Sequence, residues 1–374
     1  MQREGFTGLA SKVVRGLVSA LTLGVVISAV LGSSEAHAQG ARSQLTSGGW
    51  DLHLFRPAID SKGHLSVNGT DILGHRDFSF GLVLDYGHNI LDFNGFENDD
   101  TRSAMNAVRT DHLVDNYFTG TLHFNFGIAN YVVVGVQLPI YFIQGGNITA
   151  PGYYNDVDFN STGGNDAQGI GDIRIHVKAR ILRAERDPIG LAAIVRAQIP
   201  TGDSARFGGE PGFSLWPTLV AEWRPHRRFR LGLEAGYRVN FGTGSEFSLD
   251  GRTSPTGGSA IMPTLTDTGT LLQMNDLLTF GLGVSARAAD SLDIVAEVYG
   301  AQIATEFGST GALSMEALLG LKIFVQANSY LVLAGGAGFP RPSAQAADIR
   351  GMAGFIFEPS IGDRDGDGYK DDVD

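Results

Sequence analysis

Between Ile173 and Ile181 every odd position is apolar (Ile173, Ile175, Val177, Ala179, Ile181), and every even position is charged or ionisable (Arg174, His176, Lys178, Arg180). Residues 229–241 repeat the alternation, with Phe229, Leu231, Leu233, Ala235, Tyr237, Val239 and Phe241 set against Arg230, Gly232, Glu234, Gly236, Arg238 and Asn240. Successive side chains of a strand point to opposite faces, so each segment has one apolar and one polar face. The pattern predicts twelve strands, at 77–87, 118–127, 131–142, 171–182, 189–199, 213–223, 229–241, 277–288, 292–303, 313–325, 330–339 and 351–357. Most are long enough to cross a bilayer at a tilt, which takes about 9–11 residues. An even number of such strands predicts an all-β fold, a transmembrane antiparallel β-barrel with lipid outside and water inside.

The connections alternate in length. Short ones fall at 128–130, 183–188, 224–228, 289–291 and 326–329, and long ones at 88–117, 143–170, 200–212, 242–276, 304–312 and 340–350. Outer-membrane barrels have short periplasmic turns and long external loops. A cysteine at Asn147 or Gly257 is therefore expected to react with an impermeant thiol reagent on intact cells, and one at Arg227 is not. A soluble β-sandwich also alternates, but its strands average about 5–6 residues. Aromatic residues near the strand ends (Phe118, Tyr131, Tyr141, Phe142, Trp223, Phe229, Phe241, Phe355 and Phe357) suit interfacial girdles. Residues 39–76 leave three readings open. Trp50 to Phe55 alternates weakly and Leu65 to Val67 could pair with it, giving a hairpin and fourteen strands. The segment could equally plug the lumen or lie on the rim.

Residues 1–38 begin with Arg3, Lys12 and Arg15, continue through an apolar run from Leu17 to Leu31, and close on Ala36-His37-Ala38. That is the form of a cleavable signal peptide directing export to the outer membrane, since the apolar run is shorter than the roughly 20 residues of a spanning helix. Residues 39–374 keep 25 of the 28 Lys+Arg and 38 of the 40 Asp+Glu, a formal charge of −13. Such an excess argues against nucleic acid as a partner. There is no cysteine, hence no disulfide framework and no thiolate metal site. The 51 glycines fit tight turns and close strand contacts better than helices.

After the barrel, residues 359–374 form an acidic tail. Counting from Asp363, carboxylates stand at positions 1, 3, 5, 9 and 12 (Asp363, Asp365, Asp367, Asp371, Asp374), with Gly368 at position 6 and the Tyr369 carbonyl at position 7. Oxygens at these spacings suit calcium, as in an EF-hand loop. Position 12 is Asp rather than Glu, and no helical pattern precedes the loop. The spacing resembles a thrombospondin type 3 repeat, which implies weak calcium binding. The overall plan resembles OmpA-family barrel proteins. In that family such repeats lead to a peptidoglycan-binding domain, and that domain is not in this sequence, as expected of a truncated form or a short relative.

Under these strand assignments the inward positions include Arg174, His176, Lys178, Arg180, Arg196, Glu222, Arg230, Glu234, Arg238, Arg287 and Glu297, together with Asp172, Asp293, Glu316 and Lys322. Charges of both signs could line a water-filled pore or form salt bridges across a narrow lumen. No nucleophile or base motif accompanies the nine histidines, and Gly281-Leu282-Gly283 lies inside a strand rather than before a helix. A porin-like barrel passing small hydrophilic solutes among outer-membrane lipid and lipopolysaccharide is expected, with no catalysis. A non-conducting barrel displaying its loops is the alternative, and an outer-membrane hydrolase a more distant one.

Overall fold

A computed structural model describes residues 50–95, 109–145, 167–184, 186–242, 245–248, 250–251, 271–309, 311–326 and 328–359. Twelve long strands form the wall. They are β1 (Phe78–Gly95), β2 (Arg109–Ile128), β3 (Val132–Gly145), β4 (Ile173–Leu182), β5 (Gly190–Ile199) and β6 (Ser214–His226), followed by β7 (Phe229–Asn240), β8 (Leu277–Ala289), β9 (Leu292–Ile303), β10 (Leu313–Phe324), β11 (Tyr330–Phe339) and β12 (Ile349–Phe357). Each pairs antiparallel with its sequence neighbours. β1 pairs with β12 from Phe80↔Phe357 to His88↔Ile349, which closes the sheet. Closure leaves the long strands no free edge, the condition for a sheet to sit in hydrocarbon.

Most strand boundaries agree with the alternation to within one to three residues. The main departure is the β1–β2 hairpin, whose ladder runs on to Gly95↔Arg109 through residues predicted to be loop. Pairing continues there after alternation has faded, because backbone bonds alone sustain a ladder. Ala167–Ile170 adds a short strand to β3, Ser245–Ser248 pairs with Leu271–Met274, and Asp250–Gly251 runs parallel to the end of β1.

The two faces are sharply distinguished. On β4, Ile175 and Val177 are 48% and 45% exposed, whereas Arg174, His176 and Lys178 are almost fully buried inside. Leu219, Leu233 and Leu319 extend the outward apolar surface. So wide an apolar band suits lipid, not water. Tyr131, Trp223 and Phe241 are exposed near strand ends, and the Phe118 and Phe142 rings meet at a tilt across β2 and β3. Tyr141 is a correction to the predicted girdle. One position out of phase with Phe142, it faces inward and is buried under Gly208.

Candidate functional site: a filled lumen

Residues 50–77 run through the barrel interior. At the long-loop end the Trp50 ring meets Phe207 edge-on at 5.5 Å, and the Asp51 carbonyl accepts the Gln345 side-chain amide at 2.7 Å. At the short-turn end Lys62 reaches Glu358 at 2.6 Å, Asp71 pairs with Arg224, and the Arg76 amide donates to the Gly127 carbonyl just before β1 begins. The segment forms no strand. Its internal backbone bonds are Ala58 N–H to Leu65 O, His64 N–H to Val67 O and Asp77 N–H to Gly74 O. The fourteen-strand arrangement is therefore not formed, because these residues spend their backbone groups on wall side chains rather than on a sheet edge.

A segment without regular structure must find partners for its buried amides and carbonyls elsewhere. Glu297 on β9 accepts the N–H groups of Leu65, Ser66 and Val67 at 3.0, 2.7 and 3.3 Å. Glu234 on β7 accepts both the backbone and side-chain N–H of Asn68, and Glu222 on β6 accepts the Thr70 amide. In the opposite sense, Lys322 donates to Gly63 O, Arg230 to Lys62 O and Tyr330 to Ser61 O. Charge-assisted bonds of this kind are among the stronger ones available to a protein.

Apolar contacts complete the fit. Trp50 and Leu52 join the apolar residues of the long-loop half, Phe55 and Leu65 pack against β1 and β9–β12, and Ile59 packs on Ala192, Ile194 and Val220. Gly232 and Gly283 explain how the wall admits the segment. A Cβ at Gly232 or Gly283 would stand 2.6 or 2.9 Å from the His64 ring, so a side chain at either would force that ring from its place. A remaining space of about 40 Å³, lined in part by His53, Arg56, Arg196, Trp216, Glu234 and Arg238, has room for a few water molecules.

The predicted inward residues divide by role. Lys178 is fully buried with Asp60 at 2.7 Å. Glu222 holds Arg230 and Arg224, and Arg238 holds Glu210 of the 200–213 loop at 2.8 Å. His176 bonds Asn125. Arg174 and Arg196 are buried without a carboxylate partner. Two residues sit toward the short-turn rim: Arg180 donates to the Asn130 carbonyl, and Arg287 pairs with Asp293 beside the 289–292 turn. The inner face is thus not the wet wall that alternation suggests, because a segment of the same chain covers it. Burial pushes the Glu210 carboxyl up to about 7; the Arg238 guanidinium pulls the other way, and the Asp51 and Asp172 carboxylates add to the rise.

Sequence reasoning overlooked Asp85 and Arg350. Arg350, fully buried, binds Glu316 at 2.7 Å and Asp85 at 3.0 Å, and Asp85 also meets His53 at 2.7 Å. The signal was present: Asp85 is a charge in phase with the inward Val83. The plug residues Asp51, Arg56 and Asp60 were not legible, because the weak alternation of 50–55 does not say which wall group each one meets. The expected calcium ligands Asp363, Asp365, Asp367, Tyr369, Asp371 and Asp374, the signal segment 1–38, and Asn147 and Gly257 lie outside the described residues.

A family model described as "Putative MetA-pathway of phenol degradation" matches residues 98–258. No curated protein matches. Among solved structures, the chain is similar to the COG4313 outer membrane channel from Pseudomonas putida F1. That likeness has 11% identity and a TM-score of 0.49, and covers 78% of this chain and 98% of that one. The NanC porin shares 7% identity at a TM-score of 0.43, covering 75% and 100%. The P. putida toluene transporter TodX shares 10% identity at a TM-score of 0.40, covering 76% and 91%.

Proposed function

We propose that this chain is an outer-membrane channel for small hydrophilic solutes whose lumen is closed at rest by residues 50–77. The observation that carries the reading is the way the plug is held. Its backbone is gripped by wall carboxylates at Glu222, Glu234 and Glu297, and by wall cations at Arg230 and Lys322. Narrow barrels that serve only as walls fill their interior with their own side chains. Here a separate, irregular segment does the filling, through polar bonds that water can replace one by one. Removing it would uncover a charged, water-compatible surface. Planar-bilayer recording of the full chain against a variant lacking 50–70 tests this reading directly.

The alternative is a non-conducting barrel that displays its loops. It draws support from the packing of the 200–213 and 340–348 loops onto Trp50 and Asp51, which fixes the long-loop face. The same recording separates the two. Neither reading needs catalysis. The acidic tail is a second element of the proposal: the carboxylate spacing from Asp363 to Asp374 supports a weak calcium site of thrombospondin type 3 kind, in keeping with an OmpA-like plan.

A further inference from the structure

Most buried cations of the lumen among the described residues have a partner, a carboxylate or, for Lys322, the Gly63 carbonyl and the Tyr330 hydroxyl. Lys178 has Asp60, Arg350 has Glu316 and Asp85, Arg56 has Asp51, and Arg238 has Glu210. Arg174 and Arg196 have none. They are 2% and 4% exposed, and among the described residues no carboxylate lies within 4.0 Å of either guanidinium. The Nε and Nη1 of Arg174 and the Nε of Arg196 are buried without any acceptor.

The two side chains are neighbours. In the β4–β5 ladder Arg174 pairs with Gln198 and His176 with Arg196, so the arginines lie diagonally on the same inward face, about 7–8 Å apart at the backbone. Trp216 pairs with Arg196 on the next strand, and its ring lies 4.1 Å beneath the Arg196 guanidinium. Its indole N–H is taken by Thr279. The nearby acids are already engaged: Asp51 by Arg56, Asp60 by Lys178, Glu234 by Asn68, and Asp172 by Gln198 and the amides of Gly202 and Glu210. A third cation, Arg56 of the plug, shares with Arg196 the lining of the 40 Å³ space.

Two desolvated guanidinium groups with unused N–H donors are costly unless an anion completes them. Their planar forks suit the paired oxygens of a carboxylate or phosphate better than a spherical ion. We propose that Arg174 and Arg196 form an oxyanion site in the long-loop half of the lumen, taking a small solute that carries a carboxylate or a phosphate. As the solute class of the channel it rests on the passage reading, but its occupation needs no current.

The test is calorimetric titration of the purified full chain in detergent with inorganic phosphate and, separately, with formate, at constant ionic strength set by chloride. Saturable binding of either anion supports the site, and the anion that binds identifies the source of the oxygens. Affinity should fall at least tenfold in Arg174→Gln plus Arg196→Gln, with folding checked by heat-modifiable gel migration. Arg174→Lys, which keeps the charge but not the fork, should bind more weakly than wild type and serves as the readout if the double variant does not fold. No saturable binding to wild type, or equal affinity in the variants, overturns the proposal. Binding without conductance would refute passage and leave the site standing.

Discussion

The Lys178 ammonium on β4 and the Asp60 carboxylate of the plug meet at 2.7 Å, with neither side chain exposed. Removing one partner of such a pair strands a buried charge, at a cost of about 3–5 kcal/mol. Lys178→Met should therefore lower unfolding stability by that order, and Asp60→Leu in the same chain should restore most of it. Urea unfolding followed by tryptophan fluorescence measures both. A small, additive loss from each change would mean that the pair is not a desolvated lock.

Leu233 is 53% exposed on the outward face of β7, between inward Gly232 and Glu234. Leu233→Arg should cost about 2–4 kcal/mol if it places charge near the bilayer midplane. Alternation alone ranks Gly232→Arg as milder. The structure adds a second effect there, because any Cβ at Gly232 would stand 2.6 Å from the His64 ring and force it aside, loosening the plug. Refolding yield in lipid vesicles should drop for Leu233→Arg, while Gly232→Arg should fold and leave the lumen more accessible to a small impermeant quencher. Loss of folding in both, with no change in quenching, would contradict this assignment.

Glu210 provides a pH signature. Its unperturbed value is 4.5, and in the folded protein burial raises it to about 7. The folded state thus holds a proton that the unfolded chain has released, so Glu210's own contribution to stability is greatest below pH 4.5 and declines as pH rises towards 7. Glu210→Gln should remove that component of the decline between pH 5 and 8, seen in thermal unfolding. Identical pH profiles for wild type and variant would show that Glu210 ionises freely.

The barrel wall was legible in the sequence because lipid imposes a strict rule on every second residue. Ile175 and Val177 must differ from Arg174, His176 and Lys178, whatever else the chain does. The plug obeys no such rule. Between Trp50 and Asp71 each residue is chosen by the wall group it meets, and those groups lie far off in sequence: Asp60 finds Lys178, and Leu65, Ser66 and Val67 find Glu297. Lys178 could be placed inside the barrel from its phase alone, but its partner, 118 residues away, could not. Gly232 and Gly283 carried a hint, being gaps in the inner wall, yet a gap does not say what fills it.

In the tail, the carboxylates of Asp363, Asp365, Asp367, Asp371 and Asp374 repel one another at neutral pH, and a calcium ion would relieve that repulsion. Titration of the full chain should give a dissociation constant of about 10⁻⁴ to 10⁻³ M, the range of weak extracellular modules. Asp365→Ala plus Asp367→Ala should abolish it. Equal titration of wild type and variant at millimolar calcium would reduce the tail to a solvated acidic stretch.

Conductance in planar bilayers shows whether residues 50–77 close a lumen that otherwise passes solutes. Wild type should show rare, brief openings. A variant lacking residues 50–70 should show a steady open current, and Glu234→Gln plus Glu297→Gln, which weakens the grip on Leu65 to Asn68, should open more often than wild type. A heat-modifiable, correctly folded deletion variant that carries no current would contradict the account and leave a barrel whose interior is structural.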